Sequence, residues 1–437
     1  MFDTYEQAID WIHTRLRLGI KPGLSRMAWM LERLEHPERR IKTIHVGGTN
    51  GKGSTVTFLR AILQTAGYRV GTFTSPYFEQ FNERISVNGQ PISDAELIEL
   101  ANVIKPLADE LDRSELGGPT EFEVITAMSF YYFAKMSPVD VVLYEVGLGG
   151  RFDSTNVIHP LLSIITSIGL DHTAILGESY EEIAFEKAGI IKNGVSVITG
   201  VKQPEALEVI RKKAFDCKSS LYHLGEDFAA SSKEPLERGE QFAFTSMFGQ
   251  IHELKTSMIG AHQVENAACA VMASQVLANY YSFLIEEEHI REGLILAYWP
   301  GRLEILSEDP LVLIDGAHNE EGIKALASEI NARFADKNIS ILFAALKDKK
   351  LDKMIATLEE VADQLIFTTF DFPRAASAKD LIDAGSTKGN KRIAADYQDF
   401  LQRKINELDQ ADMLIVTGSL YFLSEAKPFL VKWLKNN

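Results

Sequence analysis

Cysteine is scarce: only Cys217 and Cys269 occur in 437 residues. They lie too far apart in sequence to suggest a disulfide framework or a metal cluster, so a reducing, cytoplasmic setting is the default expectation. Positive charge is also short. The 45 Lys and Arg stand against 61 Asp and Glu, a formal net charge of −16. A general nucleic-acid binder needs a basic face, so that class is set aside, and an anionic ligand would be held by local glycine loops, cations and metal. No apolar run is long enough to span a bilayer; the longest, near residues 161–170, is interrupted by Ser and Thr. The start, Met1-Phe2-Asp3-Thr4-Tyr5-Glu6, lacks the basic and apolar regions of a signal peptide. There is no internal repeat and no low-complexity tract. What is present, 46% hydrophobic and 24% charged residues, fits a globular enzyme. The length exceeds one ordinary core, so two or more domains are expected.

One stretch organises the rest: His45-Val46-Gly47-Gly48-Thr49-Asn50-Gly51-Lys52-Gly53-Ser54-Thr55, with four glycines in seven positions around a lysine. An apolar run (41–46) precedes it, and helically spaced Val56, Leu59, Ile62 and Leu63 follow. Strand, glycine loop and helix form the layout of a phosphate cradle. Backbone N–H groups turn onto the anion, the helix N-terminus adds partial positive charge, and the lysine reaches outer phosphates. The general P-loop pattern is met imperfectly, since Val46 replaces its first glycine and Gly53 separates Lys52 from Ser54. A plain surface turn is the alternative; the embedded lysine and the flanking elements favour phosphate.

Taken in order, residues 4–18 predict an amphipathic helix, 19–23 a break, and 25–34 a second helix. A strand at 68–73 ends in Ser75-Pro76-Tyr77, and residues 78–92 read as a functional loop with a hairpin edge. Thr120-Glu121-Phe122-Glu123 has capping-box spacing, and the helix behind it is apolar nearly all round, so it is expected to be sandwiched. The strand at 139–146 carries Glu145 near its end and runs into a second glycine loop, Gly147 to Asp153. The strand at 161–168 ends in Gly169-Leu170-Asp171-His172. Ser179 and Glu182 cap a helix carrying Lys187, a strand follows at 195–199, and 203–256 holds a helix and short strands. An Ala-rich helix covers 266–279. Pro300-Gly301 marks a boundary, after which strands at 311–315, 339–345, 364–369 and 412–417 alternate with helices at 319–333 and 351–362. The expected class is α/β: a P-loop-type, mainly parallel sheet domain over residues 1–298, then a smaller Rossmann-like α/β domain over 301–437.

Polar groups thus gather at strand C-terminal ends: Ser75, Glu145 and His172 in the first domain, Asp315 and His318 in the second. Oxygen and imidazole donors around phosphates suit Mg²⁺, and phosphoryl transfer is mainly positioning and charge neutralisation. These features predict an ATP-using enzyme and leave the acceptor unnamed.

The segments GGTNGKGS, TFTSPY, FNERISVNG, EVGLGGRFDSTN, TSIGLDHTAILG, EKAGIIK, WPGRLE, DGAHN and TGSLYF, in this order, resemble those of the folylpolyglutamate synthase and dihydrofolate synthase family of the Mur ligase superfamily. The resemblance covers nearly the whole chain. It implies that ATP phosphorylates a folate carboxylate and that the amine of L-glutamate attacks the acyl phosphate. It assigns Thr49, Asn50, Gly51, Lys52, Gly53 and Ser54 to the ATP phosphates, and Asn266, Arg302 and Asp315 to the nucleotide. Ser75 and Glu145 would hold one Mg²⁺ and His172 a second. Lys187 aligns with a carbamylated lysine, and His318 and Ser419 with the incoming glutamate. Catalytic weight falls on Lys52, Glu145, His172, Lys187 and His318. Thr120, Glu121, Phe122 and Glu123, with Arg151, Phe152 and Asp153, align with a dihydropteroate pocket, and the run Arg151 to Asn156 favours a bifunctional enzyme. Family habit implies a monomer.

Three other readings are weighed. A cell-wall Mur ligase needs an added N-terminal domain, for which the 46 residues ahead of Gly47 are too few. A non-catalytic nucleotide switch has no use for Glu145, His172, Lys187, Asp315 and His318 together. A simple P-loop kinase leaves the second domain without a role.

Overall fold

Long β-branched runs and amphipathic segments alternate along this chain, and they fold as two α/β units. The computed structural model describes residues 1–19, 21–236, 238–386 and 389–436; Ile20, inside the expected break at 19–23, lies outside them. The first unit comprises Met1–Leu236, Gln241–Ser257 and Gln263–Tyr298; the second comprises Glu237–Glu240, Met258–His262 and Trp299–Asn437.

The first unit is built on β1 (Thr43–Gly47), β2 (Val70–Phe73), β3 (Ile85–Val87), β4 (Gln90–Pro91), β5 (Val141–Glu145), β6 (Leu162–Ile165), β7 (Ser196–Thr199) and β8 (Leu221–His223). Their order is β4-β3-β2-β5-β1-β6-β7-β8. The pairs from β2 to β8 are parallel, and the short β3 and β4 form the antiparallel edge expected at 78–92. Continuous apolar strands are what a sheet covered on both faces requires, and every residue of β1 and β5 is buried. One face packs Phe73, Val142 and Tyr144 against Val124, Ile125, Met128 and Phe130; the other packs Val146, Ile165 and Val197 against Ile183 and Ile190. The helix Glu121–Tyr131 is sandwiched as predicted, with Val124 and Phe130 wholly buried. The glycine-loop helix runs Lys52–Thr65, and Gly293 of the helix Glu287–Leu296 lies so close to Ile62 that a Cβ there would stand 2.5 Å from its Cα. Of the short strands expected within 203–256, β8 joins the main sheet, while β9 (Phe228–Pro235), β10 (Glu240–Ser246) and β11 (Gly249–Thr256) form a sheet of their own. The Ala-rich helix is longer than predicted, Ala261–Tyr281.

The second unit holds β12 (Glu304–Glu308), β13 (Leu311–Asp315), β14 (Asn338–Phe343), β15 (Gln364–Phe367), β16 (Lys391–Ile393) and β17 (Asp412–Thr417) in the order β12-β13-β17-β14-β15-β16. All pairs are parallel except β12 with β13. The alternation predicted β13, β14, β15 and β17 and the helices Glu320–Arg333 and Leu351–Glu359. It did not predict β12, β16 or the helices Ala378–Ala384, Tyr397–Glu407 and Leu420–Asn436. The first two strands are polar edge strands, and Pro428 inside the last helix reads as a breaker.

Arg333 is the polar keystone of this unit. Its guanidinium pairs with Glu240 and, at 3.0 Å, with Glu329. The two carboxylates in turn accept the backbone N–H groups of Gly260 (2.6 Å) and Ala261 (2.8 Å). All three side chains are about nine-tenths buried. Arg333→Ala strands two buried carboxylates and is expected to cost about 3–5 kcal/mol. Chemical denaturation of the purified protein checks this; a loss below about 1 kcal/mol, the size of a surface pair, would contradict it.

Candidate active site

The glycine loop stands between β1 and its helix, and the far end of β6 holds it in shape. Thr49 N–H donates to the Ser167 carbonyl (2.9 Å), and Asn50 N–H to Ser167 Oγ (2.9 Å). The Asn50 carbonyl accepts from Thr166 Oγ1 (2.6 Å) and Ser167 Oγ (3.0 Å). Thr49 Oγ1 accepts from Gly169 N–H (2.9 Å) and donates to the Gly169 carbonyl (3.3 Å). Two of the glycines are obligatory. A Cβ on Gly48 (φ +148°) would lie 2.0 Å from Thr166 Oγ1, and one on Gly51 (φ +84°) 2.2 Å from Asn266 Oδ1. The second contact puts Asn266, predicted to bind nucleotide, directly on the loop. Its Nδ2 donates to Gln263 Oε1 at 3.0 Å, which fixes the amide's orientation.

Two lysines converge on one carbonyl of this loop. Lys52 Nζ donates to the Gly48 and Thr49 carbonyls, each at 3.1 Å, and Lys187 Nζ donates to the Gly48 carbonyl at 2.9 Å. Lys187 is 5% exposed. Burial, then the neighbouring Lys52 charge, brings its pKa down to about 7, against a smaller upward pull from Asp171 and Asp153. An amine in this position is about half protonated at neutral pH, and it is buried within the fold rather than exposed on its helix.

The parallel register sets Glu145, last residue of β5, opposite Val46 of β1. Its carboxylate is buried, and Oε2 accepts the Ser75 N–H at 3.3 Å, so two predicted magnesium residues are side by side. One buried carboxylate against the Ser75 backbone suits Mg²⁺, which keeps waters and takes few protein ligands. Among the described residues no three His, Cys, Asp or Glu side chains form a self-sufficient metal cage. His172 is exposed with left-handed backbone (φ +51°), on the segment that Thr49 touches through Gly169.

The second glycine loop is stitched shut by Asp153. Its Oδ2 accepts the N–H groups of Gly147 (3.0 Å) and Leu148 (2.9 Å), and its Oδ1 accepts Thr155 N–H (3.0 Å) and Oγ1–H (2.5 Å). Burial raises its pKa while these donors oppose the rise. Arg151 is surface-lying, paired to Glu186 at 2.6 Å and stacked over Phe152 and Phe185. The loop also grips the Lys187 segment: Arg151 N–H donates to the Glu186 carbonyl (2.7 Å), and Asn156 Nδ2 to that of Gly189 (3.1 Å). Thr120 and Glu123 complete their capping box, and Glu123 also takes both oxygens to Arg26 Nε, at 2.9 and 3.0 Å. Glu121 pairs with Arg84 at 3.1 Å, and the Phe122 ring covers Gly147. Here the acids hold the wall while Phe122 supplies the apolar face.

In the second unit, Asp315 closes β13. Its carboxylate accepts Leu303 N–H and Ala317 N–H, each at 2.9 Å; burial raises its pKa and the nearby Arg302 charge lowers it. His318 Nδ1–H donates to the Gly316 carbonyl at 2.8 Å. Ser419 is 2% exposed, at the end of β17. Asp315, Arg302 and His318 are thus one cluster around the 301–303 turn.

Sequence reasoning passed over Arg26, Arg84, Thr166, Ser167 and Gln263. The hydroxyls at 166–167 end a strand beside the glycine loop, a signal that the strand-end argument could have used. Arg26 sits on an ordinary amphipathic helix and carries no local signature.

Residues 46–274 match the Mur ligase middle domain, and residues 301–420 the Mur ligase, glutamate ligase domain. The dihydrofolate synthase/folylpolyglutamate synthase of Bacillus subtilis (strain 168) is 51% identical over 98% of this chain and 99% of its own. A folylpolyglutamate synthase–AMPPCP–folate complex superposes with a TM-score of 0.86 at 33% identity, covering 98% of this chain and all of the other. The Mycobacterium tuberculosis folylpolyglutamate synthase complexed with ADP gives 0.89 at 30% identity, covering 97% of each. This chain belongs to the Mur ligase family, in the branch of the folylpolyglutamate and dihydrofolate synthases.

Proposed function

We propose that this chain is an ATP- and Mg²⁺-dependent ligase that joins L-glutamate to a folate carboxylate, and that it also converts dihydropteroate to dihydrofolate. The observation that carries the reading is the meeting of Lys52 and Lys187 at the Gly48 carbonyl, beside the Glu145–Ser75 pair. The Lys52 ammonium and the N-terminus of the helix that follows the glycine loop suit a triphosphate. A buried carboxylate next to them suits its magnesium. The folate relatives and the folate- and ADP-bound neighbours support the choice of acceptor. In this reading the enzyme acts as a cytoplasmic monomer; among the described residues no helix is long and apolar enough to cross a membrane.

The loop 48–54 holds the phosphates, and Lys52 follows the charge that shifts toward the β-phosphate as the terminal phosphoryl moves to the substrate carboxylate. Glu145 and Ser75 would hold Mg²⁺, which would screen phosphate oxygens, and His172 would serve a second ion. ADP is the leaving group. The glutamate amine adds to the activated carbonyl, loses a proton, and phosphate departs as the amide forms. Asn266, Arg302 and Asp315 bind the nucleotide, with Asp315 also fixing the turn that carries Arg302. His318 and Ser419 serve the glutamate. Phe122, Arg151 and Phe152, on the frame made by Thr120, Glu121, Glu123 and Asp153, receive the pterin end.

ATP turnover is expected to require folate and L-glutamate together, with a weaker dihydropteroate-dependent rate. Phosphate release that is unchanged when either is omitted would contradict the ligase reading. Lys52→Ala and Glu145→Ala are expected to lower kcat by about a thousandfold, with circular dichroism unchanged; near-normal rates would remove those roles.

The burial of Lys187 supports its carbamylation. A neutral amine forms an N–C bond to CO₂ and releases a proton, so the modification grows as pH rises through about 7 and is lost below it. It converts a neutral amine into a carbamate anion able to face metal. CO₂-depleted enzyme is expected to be less active and to recover with bicarbonate, with a ¹³C-carbamate signal lost on acidification. Full activity without CO₂ and no such signal would contradict the assignment.

A further inference from the structure

His45 is wholly buried on β1, two residues before the glycine loop, where an apolar strand residue would be expected. Its Nε2 lies 2.8 Å from Thr155 Oγ1, and its Nδ1 is buried without a hydrogen-bond partner. The hydroxyl has one proton. That proton faces Asp153 Oδ1 at 2.5 Å, a carboxylate oxygen that also accepts Thr155 N–H. Thr155 Oγ1 must therefore accept from His45, which makes the ring the Nε2–H tautomer. The lone pair on Nδ1 is the cost of that arrangement.

We infer that His45 is a positioning residue for the acceptor side of the site. Through Thr155 it orients Asp153, and Asp153 holds the Gly147 and Leu148 amides directly after Glu145. The inference rests on the reading above, in which residues 151–153 belong to the pterin pocket. His45 thereby ties the strand that delivers the phosphate loop to the loop that receives the acceptor. Burial, then the charge of Lys192, holds its pKa down to about 3, so the ring keeps a single proton throughout the working range.

A residue that merely filled space in β1 would, when replaced, disturb the phosphate loop two residues away. A positioning role acts on the other loop. His45→Leu and Thr155→Val break the relay; Thr155→Ser keeps the hydroxyl, and His45→Gln offers an N–H at similar reach. In the unliganded full-length protein, both breaking variants are expected to speed hydrogen exchange of segment 146–157 by about tenfold. Segment 47–53 should stay within about twofold, and Thr155→Ser should stay near wild type. In turnover, KM for the folate is expected to rise about tenfold while KM for ATP changes less than about twofold, and the double variant should be no worse than the poorer single. ¹⁵N spectra should show His45 protonated at Nε2 and bare at Nδ1. Unchanged exchange at 146–157, equal acceleration in both loops, additive losses or the opposite tautomer would each overturn the inference. Should His45→Leu not fold, the Thr155→Val and Thr155→Ser pair decides. Should wild type lack folate-dependent turnover, the functional reading falls, and exchange with the tautomer still decides this one.

Discussion

A glycine loop between a strand and a helix keeps one shape only if its backbone polar groups are paired. In this chain that requirement is met at residues 48–50. The Asn50 carbonyl is held by the hydroxyls of Thr166 and Ser167, and the Gly48 carbonyl by the amines of Lys52 and Lys187. The rest of the site depends on this. β6 must end in hydroxyl residues beside β1, the helix carrying Lys187 must pack beneath the loop, and Asn266 must come close enough to leave room for nothing larger than glycine at Gly51. The parallel sheet supplies the common edge on which all these strand ends meet.

The same constraint sets the chemistry of Lys187. A lysine held under a backbone carbonyl, away from water and beside another ammonium, loses its proton more easily. The loop 147–156 then encloses it through Arg151, Asn156 and their contacts with Glu186 and Gly189. Phosphate loop, lysine segment and acceptor loop are thus one hydrogen-bonded unit, with Glu145 at their junction. His45 adds a link between the first and third that avoids the lysine.

Much of this was legible in the residues. Glycine spacing marked the turn between β1 and the helix Lys52–Thr65, and continuous β-branched runs marked the buried parallel strands, because both patterns are local. Strand-end placement pointed to Ser75 and Glu145, which the structure pairs. The capping box at Thr120–Glu123 was also readable, although its acids turn out to hold the wall rather than stand free. What could not be read are long-range partnerships. Nothing near Arg26 announces Glu123, 97 residues away, and nothing near His45 announces Thr155, 110 residues away. The buried state of Lys187 was hidden for the same reason, since its helix has charged neighbours on either side. In the second unit the short β16 and the proline-containing last helix lacked periodic signals strong enough to stand against turn residues.

The central claim is that the acceptor's carboxylate is activated by phosphate at this loop before glutamate attacks. Isotope transfer tests it most directly. With folate labelled by ¹⁸O in the reacting carboxylate, ATP and L-glutamate, the inorganic phosphate released should carry one ¹⁸O per amide formed. Phosphate free of label, with amide product still accumulating, would contradict the account.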